Sequence, residues 1–222
     1  MADPVRITSR SGRVRVIGED RTDVTAGGDP LVTDPGPREV QSKSKPLEVR
    51  VPVGTDLVVG TASADVELRG DLGHVGITTV SGNITAEQVA SIDARTKSGR
   101  VEVGTSPGMV RVKTGSSSIR VDHAAGEVRV ASISGKVQIK DAQALASVRT
   151  VSGTIELGLS TAGGALVETV SGTVRITVPA GTHPATRLKS VSGKRRVDCE
   201  AGDDVDITAR SVSGDLLVTA HP

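Results

Sequence analysis

Four histidines and one cysteine are the side chains here best suited to ligating a metal or attacking a carbonyl, and their spacing supports neither. His74, His123, His183 and His221 are scattered, with no two at zinc-ligand spacing, and read as exposed loop or turn residues. Cys199, in RRVDCEAG, has no recognisable histidine partner to take its proton and reads as a small strand residue. As the only cysteine it excludes an intramolecular disulfide and a cysteine-rich metal site. The Gly-x-Ser-x-Gly spacing occurs once, at 104–108, but Pro107 and the strand alternation that follows leave no helix to complete a nucleophile elbow. SGKVQI and SGKRRV faintly resemble a phosphate loop, but each runs into strand alternation instead of a helix whose N-terminus could hold the anion. The carboxylates Asp65, Glu67, Glu102 and Glu156 alternate with apolar residues, and Arg100, Arg120 and Arg175 stand on neighbouring copies of the same pattern. Cross-strand ion pairs account for them. The reading is therefore of a non-enzyme, with no catalytic residue and no metal or cofactor site assigned.

Composition narrows the remaining classes. Lys plus Arg (27) nearly equal Asp plus Glu (26), so the total charge offers no field to recruit nucleic acid or an anionic membrane. Phe, Tyr and Trp are absent. Without aromatic platforms, single-stranded nucleic acid has nothing to stack on, and a sugar-binding groove is disfavoured. The opening MADPVRITSRSG lacks a basic start followed by an apolar stretch, and no apolar run approaches the roughly 20 residues of a membrane helix. The expected location is the cytoplasm.

What the chain has in abundance is hydroxyl groups at fixed intervals. Thr-Val-Ser-Gly occurs at 79–82, 150–153 and 169–172, and Ser-Val-Ser-Gly at 190–193 and 211–214. The same turn position falls on Ala64, Gly82, Gly99, Ser117, Gly135, Gly153, Gly172, Gly193 and Gly214. The steps between them are nearly constant as far as Gly172 and lengthen a little at the last two. A period of about 18 residues marks a repeat architecture. Gly12 opens a further copy, 44–51 is a plausible one, and 25–37 reads as an irregular excursion.

Within each copy the apolar residues alternate, as in a strand with one buried face. After the turn they are the second and fourth residues, for example Val101 and Val103, or Ile155 and Leu157; before it they are the fifth and seventh back, such as Val110 and Val112. Strands of about five residues cannot bury a face alone. Stacked copies can, and so short a period leaves no room for a crossover helix. The expectation is an all-β, single-chain parallel β-solenoid of about 18 residues per coil. Residues 1–222 would form one domain, less regular over 1–55 and regular over 56–222. Nine or ten coils at roughly 4.8 Å give a rod of roughly 45 Å, and the usual hand of parallel crossovers favours right-handed winding.

The corner explains its own residues. Gly82, Gly99, Gly135, Gly153, Gly172, Gly193 and Gly214 supply the positive φ of a tight bend, and the preceding serine can cap it. Parity places that serine and the Ser or Thr two residues earlier in two inward hydroxyl ladders. An exposed hydroxyl row matched to ice or a glycan is the alternative. Between the ladders stand Ile133, Val151, Val170, Val191 and Val212. If parity holds through the corner they form an exposed aliphatic interface stripe. A bulge would turn them inward, which is the favoured expectation.

The serial TVSGNI, SISGKV and TVSGTV, with VRVPVGTDLVVGTASADVEL at 49–68, resemble a bacterial family of β-strand-repeat proteins that bears an adhesin label and is a domain of unknown function. The segments VPVGTDL and VPAGTHP match its recurring Val-Pro-x-Gly-Thr element. The resemblance implies the repeat fold and brings no catalytic residues. The functional expectation is a structural scaffold or protein-interaction module, self-associating or meeting a protein partner through its ends or a lateral face. The final copy, ending SVSGDLLVTAHP, would expose an unpaired edge. A glycan-binding surface adhesin and a polysaccharide-processing β-helix enzyme are the alternatives.

Overall fold

The computed structural model describes residues 4–27, 29–30, 39–160 and 162–221. These are strands, turns and bends without a helix, wound as parallel coils of about 18 residues. Each coil contributes one strand to a first row, turns the Ser-Gly corner, and contributes a second strand to a second row. Equivalent residues stack directly: Val110 lies between Ile92 and Val128, and Ile119 between Val101 and Val137. The alternating residues singled out in the sequence fill the interior. Val101, Val103, Ile119, Val121, Ile155 and Leu157 are 0–2% exposed, and all belong to one continuous apolar cluster. A core built only of aliphatic side chains suits this geometry, because each layer must be as thin as one strand spacing.

The coils do not stack in chain order. In the first row the order is Glu39–Ser42, Val5–Ser9, Leu57–Thr61, then the successive coils to Gly164–Ser171, then Val205–Ser213, and last Pro184–Ser190. The second row repeats the exchange: Leu47–Pro52 lies outside Arg13–Glu19, and Arg195–Asp198 lies outside Leu216–Ala220. At each end the copy nearest the chain terminus is inserted one level in. The copy at 184–198 is therefore the outermost coil, which corrects the expectation that SVSGDLLVTAHP forms the exposed edge.

Side-chain chemistry explains the exchange. The inserted C-terminal copy carries Val205, Ile207, Ala209, Leu216 and Val218, which need cover above and below and are at most 2% exposed. The 184–198 copy offers Thr186, Leu188, Arg195 and Val197 at the same positions, too polar for an interior level. The Val-Pro-x-Gly-Thr elements make the exchange possible. Each is a turn with Gly at its third position in positive φ (Gly54 at 74°, Gly181 at 78°) and an amide bond back to Pro, Thr55 to Pro52 at 3.2 Å and Thr182 to Pro179 at 3.2 Å. That is the type II pattern. Both stand where the chain must step across a level already occupied.

The two ends differ. Thr25–Ala26 runs antiparallel along the outer edge of Leu47–Pro52, and the Gly27 amide adds a 2.9 Å bond to the Glu48 carbonyl. Val24 is buried against the same end. The irregular excursion expected at 25–37 begins here, and its residues 28 and 31–37 lie outside those described. At the other end no described strand pairs with the outer edge of the 184–198 coil.

Candidate functional site

The corner overturns two expectations, the inward corner serines and the inward bulged stripe. Thr61, Thr79, Thr96, Thr114, Ser132, Thr150, Thr169 and Ser211 form a buried ladder, as expected. The corner serines do not join it. Ser63, Ser81, Ser116, Ser192 and Ser213 are exposed, while Ser98, Ser134, Ser152 and Ser171 are half-buried. The chain bends between the two positions, so alternation stops carrying information there. The Ser116 and Ser134 hydroxyls meet at 2.9 Å along this outer row. The inner hydroxyls close the bend locally, with Thr150 donating to the Ser152 carbonyl at 3.1 Å and Thr169 to that of Ser171 at 3.1 Å. Ser211 Oγ is buried without a hydrogen-bond partner among the described residues. Thr150→Val is therefore expected to cost about 1 kcal/mol and Ser211→Ala to stay within about 0.5 kcal/mol of wild type, measured by urea unfolding followed by circular dichroism.

The aliphatic stripe faces outward, not inward through a bulge. Ile133 is 62% exposed, Val191 84%, and Val151, Val170 and Val212 about half. Val80 occupies the same position, also about half exposed, and extends the stripe toward the N-terminal coils. Lys97 and Gly115 interrupt it. The glycines were only partly understood from sequence. Gly99, Gly135, Gly153 and Gly172 have positive φ, whereas Gly82, Gly193 and Gly214 do not. These three are held to glycine by close approach: a Cβ on any of them would run into the carbonyl oxygen of the neighbouring corner, that of Ala64, Gly214 and Gly172 respectively.

Stacking also sorts the charges. In the first row the outward positions form four columns; the one at the strand starts holds Glu127 and Asp206, and the cations stand in the other three. Arg6, Arg111, Arg129 and Arg187 stand in the first of these three, and Arg95, Lys113, Arg149, Arg210 and Lys189 in the second. Arg10, Lys43 and Lys97 belong to the corner column, which also holds the aliphatic stripe. Only Glu39, Asp93 and Glu168 oppose these cations within the three columns. Glu127 pairs with Arg129 from just outside, at 2.6 Å. A balanced total charge thus coexists with a local excess of cations on this face. Arg111, Lys113, Arg129 and Arg149 surround a shallow hollow of about 340 Å³ floored by Ala131. Lys113 makes no ion pair with a described residue.

The second row is the balanced face. The expected cross-strand pairing holds there for Glu67 and Glu156, whereas Glu102 lies 3.6 Å from Arg100 of its own copy and Asp65 accepts the Asn83 amide at 2.9 Å. Arg15 bonds Glu67 at 3.0 Å, Lys136 bonds Glu156 at 2.8 Å, and Asp122 accepts from Arg120 and Lys140 at 2.9 Å each. Burial would raise the Glu67 and Asp122 carboxyls, but these hydrogen bonds outweigh it and hold both below the usual carboxylate range. A groove of about 840 Å³ lies beside this row, lined by Glu156, Arg175, Leu157, Leu159, Val178 and Pro179 among others.

The scattered histidines gain partners from adjacent coils. His123 Nδ1 lies 2.6 Å from Asp141, and His183 Nδ1 3.2 Å from Asp204 with Glu200 at 3.4 Å from its Nε2. A backbone hydrogen bond from His183 lowers the Asp204 carboxyl. His74 Nδ1 meets the Ser91 hydroxyl at 2.7 Å, but Asp56 bonds the His74 amide and not its ring, so no carboxylate orients that imidazole. Cys199 is half-buried, and burial together with Asp198 pushes its thiol up, away from nucleophilic character. Among the described residues no three His, Cys, Asp or Glu side chains are grouped to hold a metal ion, and no helix is long and apolar enough to cross a membrane.

No curated protein and no solved structure matches this chain. A family model does: the one described as Toastrack DUF4097, a domain of unknown function. The stacked coils, the recurring Ser-Gly corner and a match across residues 2–219 agree, and the chain belongs to the Toastrack DUF4097 family.

Proposed function

We propose that the protein is a non-enzymatic interaction module whose lateral face docks an acidic protein partner. The observation that carries this reading is the twelve cations facing three carboxylates on the three first-row columns nearest the corner, in a chain of net charge +1. The aliphatic stripe borders the same face, so a partner can bury apolar surface beside the charge contacts. Charge steers the encounter and selects the partner, while burial of the Val and Ile side chains supplies affinity.

The test compares two variants with the same change in net charge. Lys113→Gln/Arg129→Gln/Arg149→Gln removes first-row cations; Arg100→Gln/Lys136→Gln/Arg175→Gln removes second-row cations. The first variant is expected to lose salt-sensitive capture of an acidic partner and the second to retain it, with both keeping the wild-type thermal midpoint within about 4 °C. Equal capture by all three proteins overturns the reading. A second reading, a glycan-binding surface, is favoured by the outward row of corner serines; Ser116→Ala/Ser134→Ala would then reduce binding on a glycan array.

A further inference from the structure

The outermost coil ends in two edge strands that are paired on one side only. Pro184–Ser190 pairs with Val205–Ser213, and Arg195–Asp198 with Leu216–Ala220. No described strand pairs with either on the other side, and only the Gly202 amide reaches the Pro184 carbonyl, at 3.4 Å. Exposed edges invite pairing with another chain, and proteins usually blunt them. The second-row edge of the opposite end is blunted in this way, by the antiparallel Thr25–Ala26. The 184–198 end is not. Val197 is 40% exposed, and Leu188 and Cys199 are only half-buried against the core they adjoin.

The sequence of this edge says what covers it. Residues 194–200 read Lys-Arg-Arg-Val-Asp-Cys-Glu, with cations on one side of Val197 and carboxylates on the other. Pair this strand antiparallel with a second copy of itself, Val197 against Val197. Arg196 then faces Asp198 of the second copy, and Lys194 faces Glu200. Arg196 already bonds its own Asp198 at 2.7 Å, so both groups stand on the outward face of this edge strand, where a paired second copy would bring its own Asp198 and Arg196 alongside. A parallel arrangement places cation against cation, and a head-to-tail one meets a second-row edge already covered by Thr25–Ala26, so neither gains such a match. Opposite charges directly across a strand pair stabilise it and like charges destabilise it.

We propose that two copies of this chain join end to end through the 194–200 edge as a closed two-fold pair, with Val197 on the axis. The pairing extends the second-row sheet through both molecules and covers the open interior between Leu188 and Val197. Because each copy has one self-complementary edge, and Thr25–Ala26 covers the second-row edge of its opposite end, assembly stops at two.

Light scattering with refractive-index detection at tens of micromolar is the first measurement. A mass twice 22.7 kDa is expected. Asp198→Arg sets Arg196 against a cation of the second copy and is expected to give monomer. Arg196→Asp/Asp198→Arg restores the complement in reversed sense and is expected to return the dimer, which separates loss of pairing from loss of folding. In a Cys199→Ser background, Val197→Cys is expected to form a disulfide-linked dimer under mild oxidation, since directly opposed residues place their Cα atoms about 4.5–5.5 Å apart, within disulfide reach. A monomer at every concentration, open-ended polymers, or a dimer that survives Asp198→Arg and gives no Val197→Cys cross-link each overturns the proposal. None of these outcomes touches the lateral face, which is tested separately.

Discussion

Truncation after Asp204 is expected to unravel two coils. The residues removed, 205–222, include the level between Gly164–Ser171 and Pro184–Ser190, so the 184–198 coil loses its only sheet partner in both rows. Hydrogen exchange should show its amides as unprotected as those of a free peptide. A stack in chain order predicts the opposite, with 184–198 still paired to 164–178. The same point can be made without shortening the chain. Ile207 is fully buried, and Ile207→Ala is expected to cost about 2–5 kcal/mol. Leu188, one copy earlier in sequence but one level further out in space, is half-exposed, and Leu188→Ala should cost about 1 kcal/mol. If Leu188→Ala proves the more damaging, the exchanged order is wrong.

Gly153→Val is expected to be the most damaging single substitution in the regular coils, by more than about 4 kcal/mol. Two costs coincide. Gly153 has φ of 137°, a region costing an L-residue about 1–3 kcal/mol. Its Cβ would also fall on the carbonyl oxygen of Gly135, in the corner one coil away. A flexible side chain could move aside, but backbone held in a sheet ladder cannot do so without parting the coils. In a solenoid each level is stabilised mainly by its neighbours, so a break there uncouples the stack into two shorter ones. Gly54 and Gly60 separate the two costs. A Cβ on Gly54 meets nothing within 4 Å but Gly54 has φ of 74°, so Gly54→Ala should cost about 1–2 kcal/mol. Gly60 has neither obstacle, and Gly60→Ala should be neutral or stabilising by about 0.4–1 kcal/mol. Urea denaturation of the three variants, followed at the β-sheet circular dichroism minimum, gives the ranking. A Gly153→Val protein within about 1 kcal/mol of Gly60→Ala would remove both the strain and the overlap as explanations.

The sequence by itself determined the strands, their period and the identity of the core. Alternation of Val, Ile and Leu with polar residues, repeated in every copy, has one stable use, because the backbone and the apolar face of each copy can be satisfied only by another copy. It also placed the inner hydroxyl ladder, since Thr150 and Thr169 continue the alternation of the strands that carry them. Alternation ceases to inform at the corner, where the chain bends. Only the tertiary structure decided that Ser116 and Ser134 face solvent and that Val151, Val170 and Val212 form an outward stripe with Val80. Level order was likewise decided by tertiary packing. The lengthened steps to Gly193 and Gly214 signalled longer connections, and the two Val-Pro-x-Gly-Thr turns marked where they occur. Which copy lay outermost depended on burial: Ile207 and Leu216 require cover on both sides, whereas Arg195 and Val197 accept an open edge. Charge followed the same rule. Summed along the chain, cations and carboxylates cancel; stacked coil upon coil, Arg111, Arg129 and Lys113 converge on one face with few carboxylates in their columns. A periodic fold turns sequence spacing into adjacency, so a face acquires a field that the total does not reveal.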